Sequence, residues 1–129
     1  YVFGEASFDQ RVGIWSLARF GNPAASEEAA RRALLRTIKT ATHETGHMFG
    51  MHHCKAHLCN MNGANSLEEA DRWPVDPCPE CLAKLCWLTG ITPADWLRGM
   101  LPFYEQQKLT EEAVRTRRHL EALQASPPS

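Results

Sequence analysis

The sequence predicts an α+β fold: a short N-terminal β-hairpin, one long helix, an irregular loop stapled by cysteines, and a group of C-terminal helices. Three observations carry this. Two short β-rich runs lie near the start, Val2–Ala6 and Val12–Leu17. A helical period of apolar residues begins after Ser26 and lasts to Phe49. The stretch from Met51 to Pro79 is rich in Asn, Gly and Pro and holds cysteines in close pairs. The chain has 129 residues, of which 43% are hydrophobic. That suits one domain with a modest core, taken as residues 1–124, followed by a disordered tail at 125–129.

Each element has its local reason. Polar Asp9-Gln10-Arg11 separates the two β-rich runs and predicts a hairpin. Gly21-Asn22-Pro23 breaks the chain. Ser26 is placed as an N-cap, with Glu27 and Glu28 in the first turn, where the helix dipole favours acids. Ala29, Ala33, Leu34, Ile38, Ala41 and Thr45 then recur at helical spacing, and Gly50 is placed to stop the helix. Ser66 and Glu69 have capping-box spacing. Later helices are expected over Glu80–Leu88, from Thr92-Pro93, and from Thr110.

Composition excludes some classes. Fourteen Lys+Arg against fifteen Asp+Glu leave a formal net charge of -1, and no basic cluster surrounds the cysteines. The electrostatic footprint of a nucleic-acid binder is therefore missing. No apolar run approaches the roughly 20 residues of a membrane span. Tyr1-Val2-Phe3-Gly4 does not read as a signal peptide, and with no initiator methionine an upstream part of the chain is expected. Five cysteines is an odd count for a disulfide scaffold, so a reducing compartment, the cytoplasm, is expected. Oligomeric state is not legible.

His43-Glu44-Thr45-Gly46-His47 reads HExxH. On a helix, residues four apart share a face, so His43 and His47 can offer their imidazoles to one ion, while Glu44 projects beside it. Alone, so short a pattern also describes two helix-surface histidines. Gly50 and His53 extend it to HExxHxxGxxH. Glycine tolerates the positive φ of a sharp turn, which can return His53 as a third nitrogen ligand. Three protein ligands leave the fourth position of a zinc ion open, the arrangement of catalytic sites. His52 and His57 are placed as surface residues or outer donors, and His119 as a solvated surface histidine. The chemistry that follows is hydrolysis of a peptide bond by water activated on zinc, with Glu44 as general base.

Cys54 and Cys59 are followed, after an 18-residue gap, by Cys78-Pro79-Glu80-Cys81. Two close pairs of thiolates suit a closed tetrahedral zinc site that would staple the loop to the helix beyond it. The alternatives are buried free thiols or disulfides. Cys86 is left over and is expected in a core. Two zinc ions per chain follow, one catalytic and one structural.

The interleaved pattern His43-Glu44-x-x-His47-x-x-Gly50-x-x-His53-Cys54-x4-Cys59-x-Met61, then Cys78-x-x-Cys81, resembles the archaemetzincins, a branch of the metzincin zinc peptidases. Val2-Phe3-Gly4, Leu67-Glu68-Glu69-Ala70 and Trp73–Pro79 are similar too. The resemblance covers roughly the stretch from Tyr1 to Leu88. It implies a metzincin-like peptidase domain with Met61 in a turn beneath the histidines. It implies further strands and a helix upstream of Tyr1, completing the sheet. It also implies that the strand from Val12 to Leu17 is an edge beside the cleft, open to a peptide by β-augmentation. Neither Tyr1 nor Tyr104 follows the Met61 turn, so no tyrosine is assigned to the oxyanion. The cleft is expected to be lined by the hairpin and by Leu58–Asn65, without a charged specificity pocket.

The partner implied is a peptide or protein substrate, cleaved by aminopeptidase or endopeptidase action. The competing reading is a non-catalytic zinc module of the same fold that binds peptides or proteins. An intact Glu44 favours catalysis, because a binding module needs no base.

Overall fold

The structure, a computed structural model, describes residues 3–125. The order is β1 (Gly4–Ser7), β2 (Val12–Trp15), α1 (Glu27–Met48), α2 (Leu67–Arg72), α3 (Pro79–Thr89), α4 (Pro93–Gln106) and α5 (Thr110–Ala125). It is an α+β arrangement of mostly helices with a small two-stranded sheet. Two compact units are present, one through Leu85 and one from Cys86 onward, and the division falls inside α3. The expected first strand residue Val2 and the tail residues 126–129 lie outside the described residues; α5 itself continues through Ala125.

In the first unit, β1 and β2 pair antiparallel with Gly4 opposite Trp15 and Ser7 opposite Val12. Arg11, at φ 51°, turns the chain between them. The hairpin packs against α1. The long helix starts where its cap predicts: the Ser26 hydroxyl accepts the Ala29 N–H at 3.0 Å. Such a cap is worth about 1 kcal/mol. At the other end Gly50 adopts φ +83°. The Met51 N–H returns to the Gly46 carbonyl at 3.1 Å and the Gly50 N–H to the His47 carbonyl at 2.9 Å, the paired bonds of a Schellman stop.

Arg36 ties this unit together. Its guanidinium donates to both Asp71 oxygens, at 2.9 and 2.6 Å, and to the Phe20 carbonyl at 3.1 Å. One side chain of α1 thus holds both the chain after the hairpin and the end of α2. The start of α2 is capped by Ser66, which accepts the Glu69 N–H at 3.2 Å. Glu69 returns its carboxylate to the N–H of Asn65 at 2.8 Å, one residue earlier than the expected box. Within the loop, the buried cluster is Cys59, Met61, Cys78 and Cys81, with Met51 and Cys54 packed against it.

In the second unit α4 and α5 pack on each other. Leu97, Tyr104, Leu109, Ala113 and Thr116 are buried there. The Thr92 hydroxyl accepts the Asp95 N–H at 3.1 Å, as an N-cap before Pro93. Cys86 is buried, and burial pushes its thiol up.

Candidate metal centres

His43 and His47 lie one turn apart on α1, and the Schellman turn at Gly50 sends the chain back so that His53 faces them. The ring centroids stand 4.6, 5.2 and 5.0 Å apart, for His43–His47, His43–His53 and His47–His53. One ligating nitrogen from each lies within 4.8 Å of the others.

The backbone sets the tautomers. His43 Nδ1 is 2.8 Å from the Asn60 carbonyl, and His47 Nδ1 is 2.7 Å from the Met51 carbonyl. A carbonyl only accepts, so each Nδ1 carries a proton and Nε2 is the atom each ring can offer as a ligand. These two Nε2 atoms are 3.0 Å apart. A contact this short is bridged either by a proton or by a metal cation. Two nitrogens at about 2.0–2.1 Å from a tetrahedral zinc stand about 3.3 Å from each other. The donor set therefore fits zinc. Burial lowers the basicity of His43, although the Asn60 carbonyl opposes it, and burial also lowers that of His53. Both effects favour the neutral, ligating imidazole.

Asn60 was missed in the sequence. It is 6% exposed. Its carbonyl orients His43, its side-chain amide donates to the Thr42 hydroxyl at 2.6 Å, and its N–H donates to the Asp76 carbonyl at 3.1 Å. A lone Asn in a loop carries no signal of such a role, because all three partners arrive through tertiary folding.

Met61 is 1% exposed and lies under the histidine helix. Its sulfur comes so close to Gly46 that a Cβ there would collide with it. Gly46 occupies one of the two free positions of HExxH, and the pattern alone gives it no role.

Glu44 is 7% exposed. Its side chain runs against the backbone of Gly4, where a Cβ would stand 2.8 Å from Glu44 Cγ and 2.9 Å from Oε1. Burial raises its carboxyl, with His47 pulling the other way and Glu5 adding to the rise. A carboxylate with raised basicity at the edge of a cavity is better suited to take up a proton than an ordinary one.

The cavity is about 330 Å³ and is lined by Glu44 and the three histidines, with Phe3 and Gly4 on one side and Lys39 and Trp73 among the others. Two expectations change here. The strand beside the cavity is β1, through Phe3 and Gly4, whereas Val12–Leu17 does not line it. The reason is the close approach of the Gly4 backbone to Glu44, which only a residue without Cβ permits. The cavity also holds a cation, Lys39, that the sequence reading did not place.

The four cysteines of the two close pairs converge, with one Sγ from each within 4.8 Å of the others. All are free thiols, and Cys54 Sγ stands 3.9 Å from Cys78 Sγ. A disulfide needs about 2.05 Å. Two sulfurs at about 2.3 Å from a tetrahedral zinc stand about 3.8 Å apart. Cys59 Sγ also accepts the N–H groups of Cys78 at 3.1 Å and Met61 at 3.4 Å. Burial pushes the thiols of Cys59 and Cys81 up, so a cation is what would draw their protons off.

Asn62, also missed, organises the knuckle. Its amide donates to the carbonyls of Cys54 at 2.7 Å and His57 at 2.9 Å, and its oxygen accepts the Cys59 N–H at 2.7 Å. The Cys54 N–H donates to the Met61 carbonyl at 2.8 Å, which joins the cysteine group to the turn under the histidines. His52, His57 and His119 are exposed, and His57 Nε2 lies 3.8 Å from Glu80. Cys86 is not part of the cluster.

Comparison with known proteins agrees with this geometry. The family model of peptidase family M54 matches residues 16–86. Archaemetzincin-2 of Homo sapiens is 35% identical over 83% of this chain and 37% of its own length. The archaemetzincin of Archaeoglobus fulgidus is 38% identical over 66% of this chain and 49% of its own. Among solved structures, the archaemetzincin of Methanopyrus kandleri superimposes with a TM-score of 0.59 at 34% identity, over 70% of this chain and 47% of that one. A zinc-dependent peptidase from Methanocorpusculum labreanum gives 0.57 at 34% identity, over 66% and 45%. The chain spans between about a third and a half of the length of these relatives. The match extends over more than half of the chain, from Ser16, just past β2, to Cys86, beyond the CxxC knuckle. The chain belongs to peptidase family M54, the archaemetzincins.

Proposed function

We propose that this chain carries the hydrolytic site of a zinc-dependent peptidase, with His43, His47 and His53 as the catalytic ligands and Glu44 as general base. The observation that carries it is the placement of a buried carboxylate with raised basicity beside three convergent, tautomer-set imidazoles, all opening on one cavity. Zinc bound there would supply Lewis-acid polarisation of a carbonyl and lower the pKa of water to about 7. The chain's own residues do the rest. Asn60 and Met51 fix the two helix imidazoles through their carbonyls. Glu44 takes the proton of the attacking water on its carboxylate and later delivers it to the departing amine. Met61 fills the space beneath, and Gly46 gives it room. Phe3 and Gly4 present the β1 side of the cavity, along which an extended peptide would lie.

Cys54, Cys59, Cys78 and Cys81 would hold a second, structural zinc that staples the loop. The family membership and the sulfur spacing support this. One relative, from Archaeoglobus fulgidus, was crystallised in complex with malonate, which is consistent with a cavity that accepts carboxylates.

The test is metal removal and return. Cleavage of a mixed peptide library by the zinc-loaded chain should stop on chelation and resume with zinc. Peptides that bind the zinc-loaded chain and leave it intact would favour the non-catalytic module instead.

A further inference from the structure

The three histidines are not held alike. His43 and His47 each donate from Nδ1 to a backbone carbonyl, at 2.8 and 2.7 Å. The His53 ring has no hydrogen-bond acceptor among the described residues, and His53 is the exposed member of its set. One side of the ring lies against Gly63, where a Cβ would stand 3.0 Å from Nδ1. A ligating imidazole usually gives its second nitrogen to an acceptor, which fixes how the ring points. His53 must be oriented in another way.

The cysteine set has a loosely held member as well. Cys54 is half-buried, whereas Cys59, Cys78 and Cys81 are buried. The least buried members of the two sets, His53 and Cys54, are therefore neighbours in the chain, joined by a trans peptide. That peptide plane is rigid and runs from the His53 Cα to the Cys54 Cα. Its N–H, from Cys54, donates to the Met61 carbonyl at 2.8 Å. The Cys54 carbonyl, in the next plane, accepts the Asn62 side-chain amide at 2.7 Å. Asn62 also grips the His57 carbonyl and the Cys59 N–H, and it lines the histidine cavity. One side chain thus connects the cysteine knuckle to the backbone beside His53.

We propose that the four-cysteine site is the positioning device for His53, with Asn62 as the positioning residue that transmits it, so that the third ligand is in place only when the thiolates hold their metal. The proposal rests on reading both clusters as zinc sites. With the thiolates closed on an ion, Cys54 is fixed at its sulfur, its N–H and its carbonyl, and His53 cannot swing away. With the thiolates open, Cys54 is released first, because it is the least buried of the four. His53 then leaves with it, having no acceptor of its own. His43 and His47 stay on α1, held by Asn60 and Met51. Such a coupling is reciprocal: zinc on the histidines tightens the thiolate site by the same factor.

The experiment follows the three rings by nitrogen NMR of labelled histidine in the zinc-loaded chain, with zinc affinity read by chelator competition. The unsubstituted chain should show all three rings bound to metal. Asn62→Ala should leave His43 and His47 bound, free the His53 ring and weaken zinc at the histidines about tenfold, the usual cost of losing an outer partner. The double variant Cys78→Ala/Cys81→Ala, which disables the thiolate site without touching Cys54, should free the same ring. In a His53→Ala background neither change should weaken histidine-bound zinc further, because the coupling has lost its carrier. A general loosening of the fold would disturb all three rings and would persist in that background. If one of the two variants does not fold, the other decides. A His53 ring still bound at unchanged affinity overturns the proposal, as does an equal loss with and without His53. An unsubstituted chain that holds no zinc on its histidines would overturn the proposal and the peptidase reading together.

Discussion

Gly46 shows how much of the site rests on residues that have no reactive group. It stands between the two histidines of α1, and the Met61 sulfur occupies the space where a side chain would be. Gly46→Ala would improve helix propensity by up to about 1 kcal/mol. The collision would displace Met61 from a well-packed turn, which typically costs about 1–3 kcal/mol. The net expectation is a lower melting temperature together with weaker zinc retention by the histidines. Met61→Leu, close to volume-conserving, should cost under about 1.5 kcal/mol. Thermal melts with zinc analysis on both variants check this, and a Gly46→Ala protein with unchanged metal retention would show that the close packing is incidental. Legibility at this scale was uneven. His43, Glu44, His47, His53 and the cysteine pairs stand at spacings that only helices and knuckles make useful, so a pattern finds them. Asn60, Asn62, Lys39 and Trp73 meet their partners only through the fold, and no local spacing announces them.

At the scale of elements, starts were easier to read than faces. Ser26, Ser66 and Thr92 each cap a helix by accepting the N–H three residues on, a bond local enough to be visible in the chain. Gly50 marks the stop of α1 for the same local reason. Gly50→Ala should cost about 1–2 kcal/mol for placing an L-residue at positive φ. The loss is increased by a Cβ 2.8 Å from the Phe8 ring, and chemical denaturation would measure the sum. Which strand borders the cavity was misread, because two short β-rich runs look alike until the Gly4 backbone is seen against Glu44. The pair that joins α1 to α2 gives a pH signature. The Arg36 hydrogen bonds hold the Asp71 carboxyl below its ordinary value, with burial opposing. Its stabilisation is therefore fully present above the ordinary Asp value of about 3.9 and is lost as pH falls through the lower folded value. Asp71→Asn should lower stability at pH 7 by about 1 kcal/mol, a modest figure because the pair is partly screened by solvent. The difference from the unsubstituted chain should vanish in acid, and melts across pH 2–7 would follow it.

At the scale of the whole molecule, the two groups of candidate metal ligands are joined through one short loop. The Cys54 N–H bonds to the Met61 carbonyl, and Met61 lies beneath the histidines. Stripping metal should therefore loosen both groups and lower the melting temperature, with two zinc ions needed for full recovery. Zinc held by the histidines should be retained near neutrality and released as pH falls below about 6.5, because protons then compete for the ring nitrogens. Burial depresses His43 and His53, which moves that release downward in pH from where exposed imidazoles would place it. The family membership was legible because metal spacing, unlike packing, is written in residue types. The cavity wall was not, since its members come from the hairpin, α1, α2 and the loop between the two helices.

The central claim is that Glu44 is the base of a zinc peptidase site, and one comparison tests it most directly. Peptide cleavage is measured for the zinc-loaded chain and for Glu44→Gln at equal zinc content. The account predicts the same metal occupancy and a fall in kcat of at least about 10²-fold, the usual contribution of a positioned base. Equal cleavage by the two proteins, at matched zinc, would contradict it.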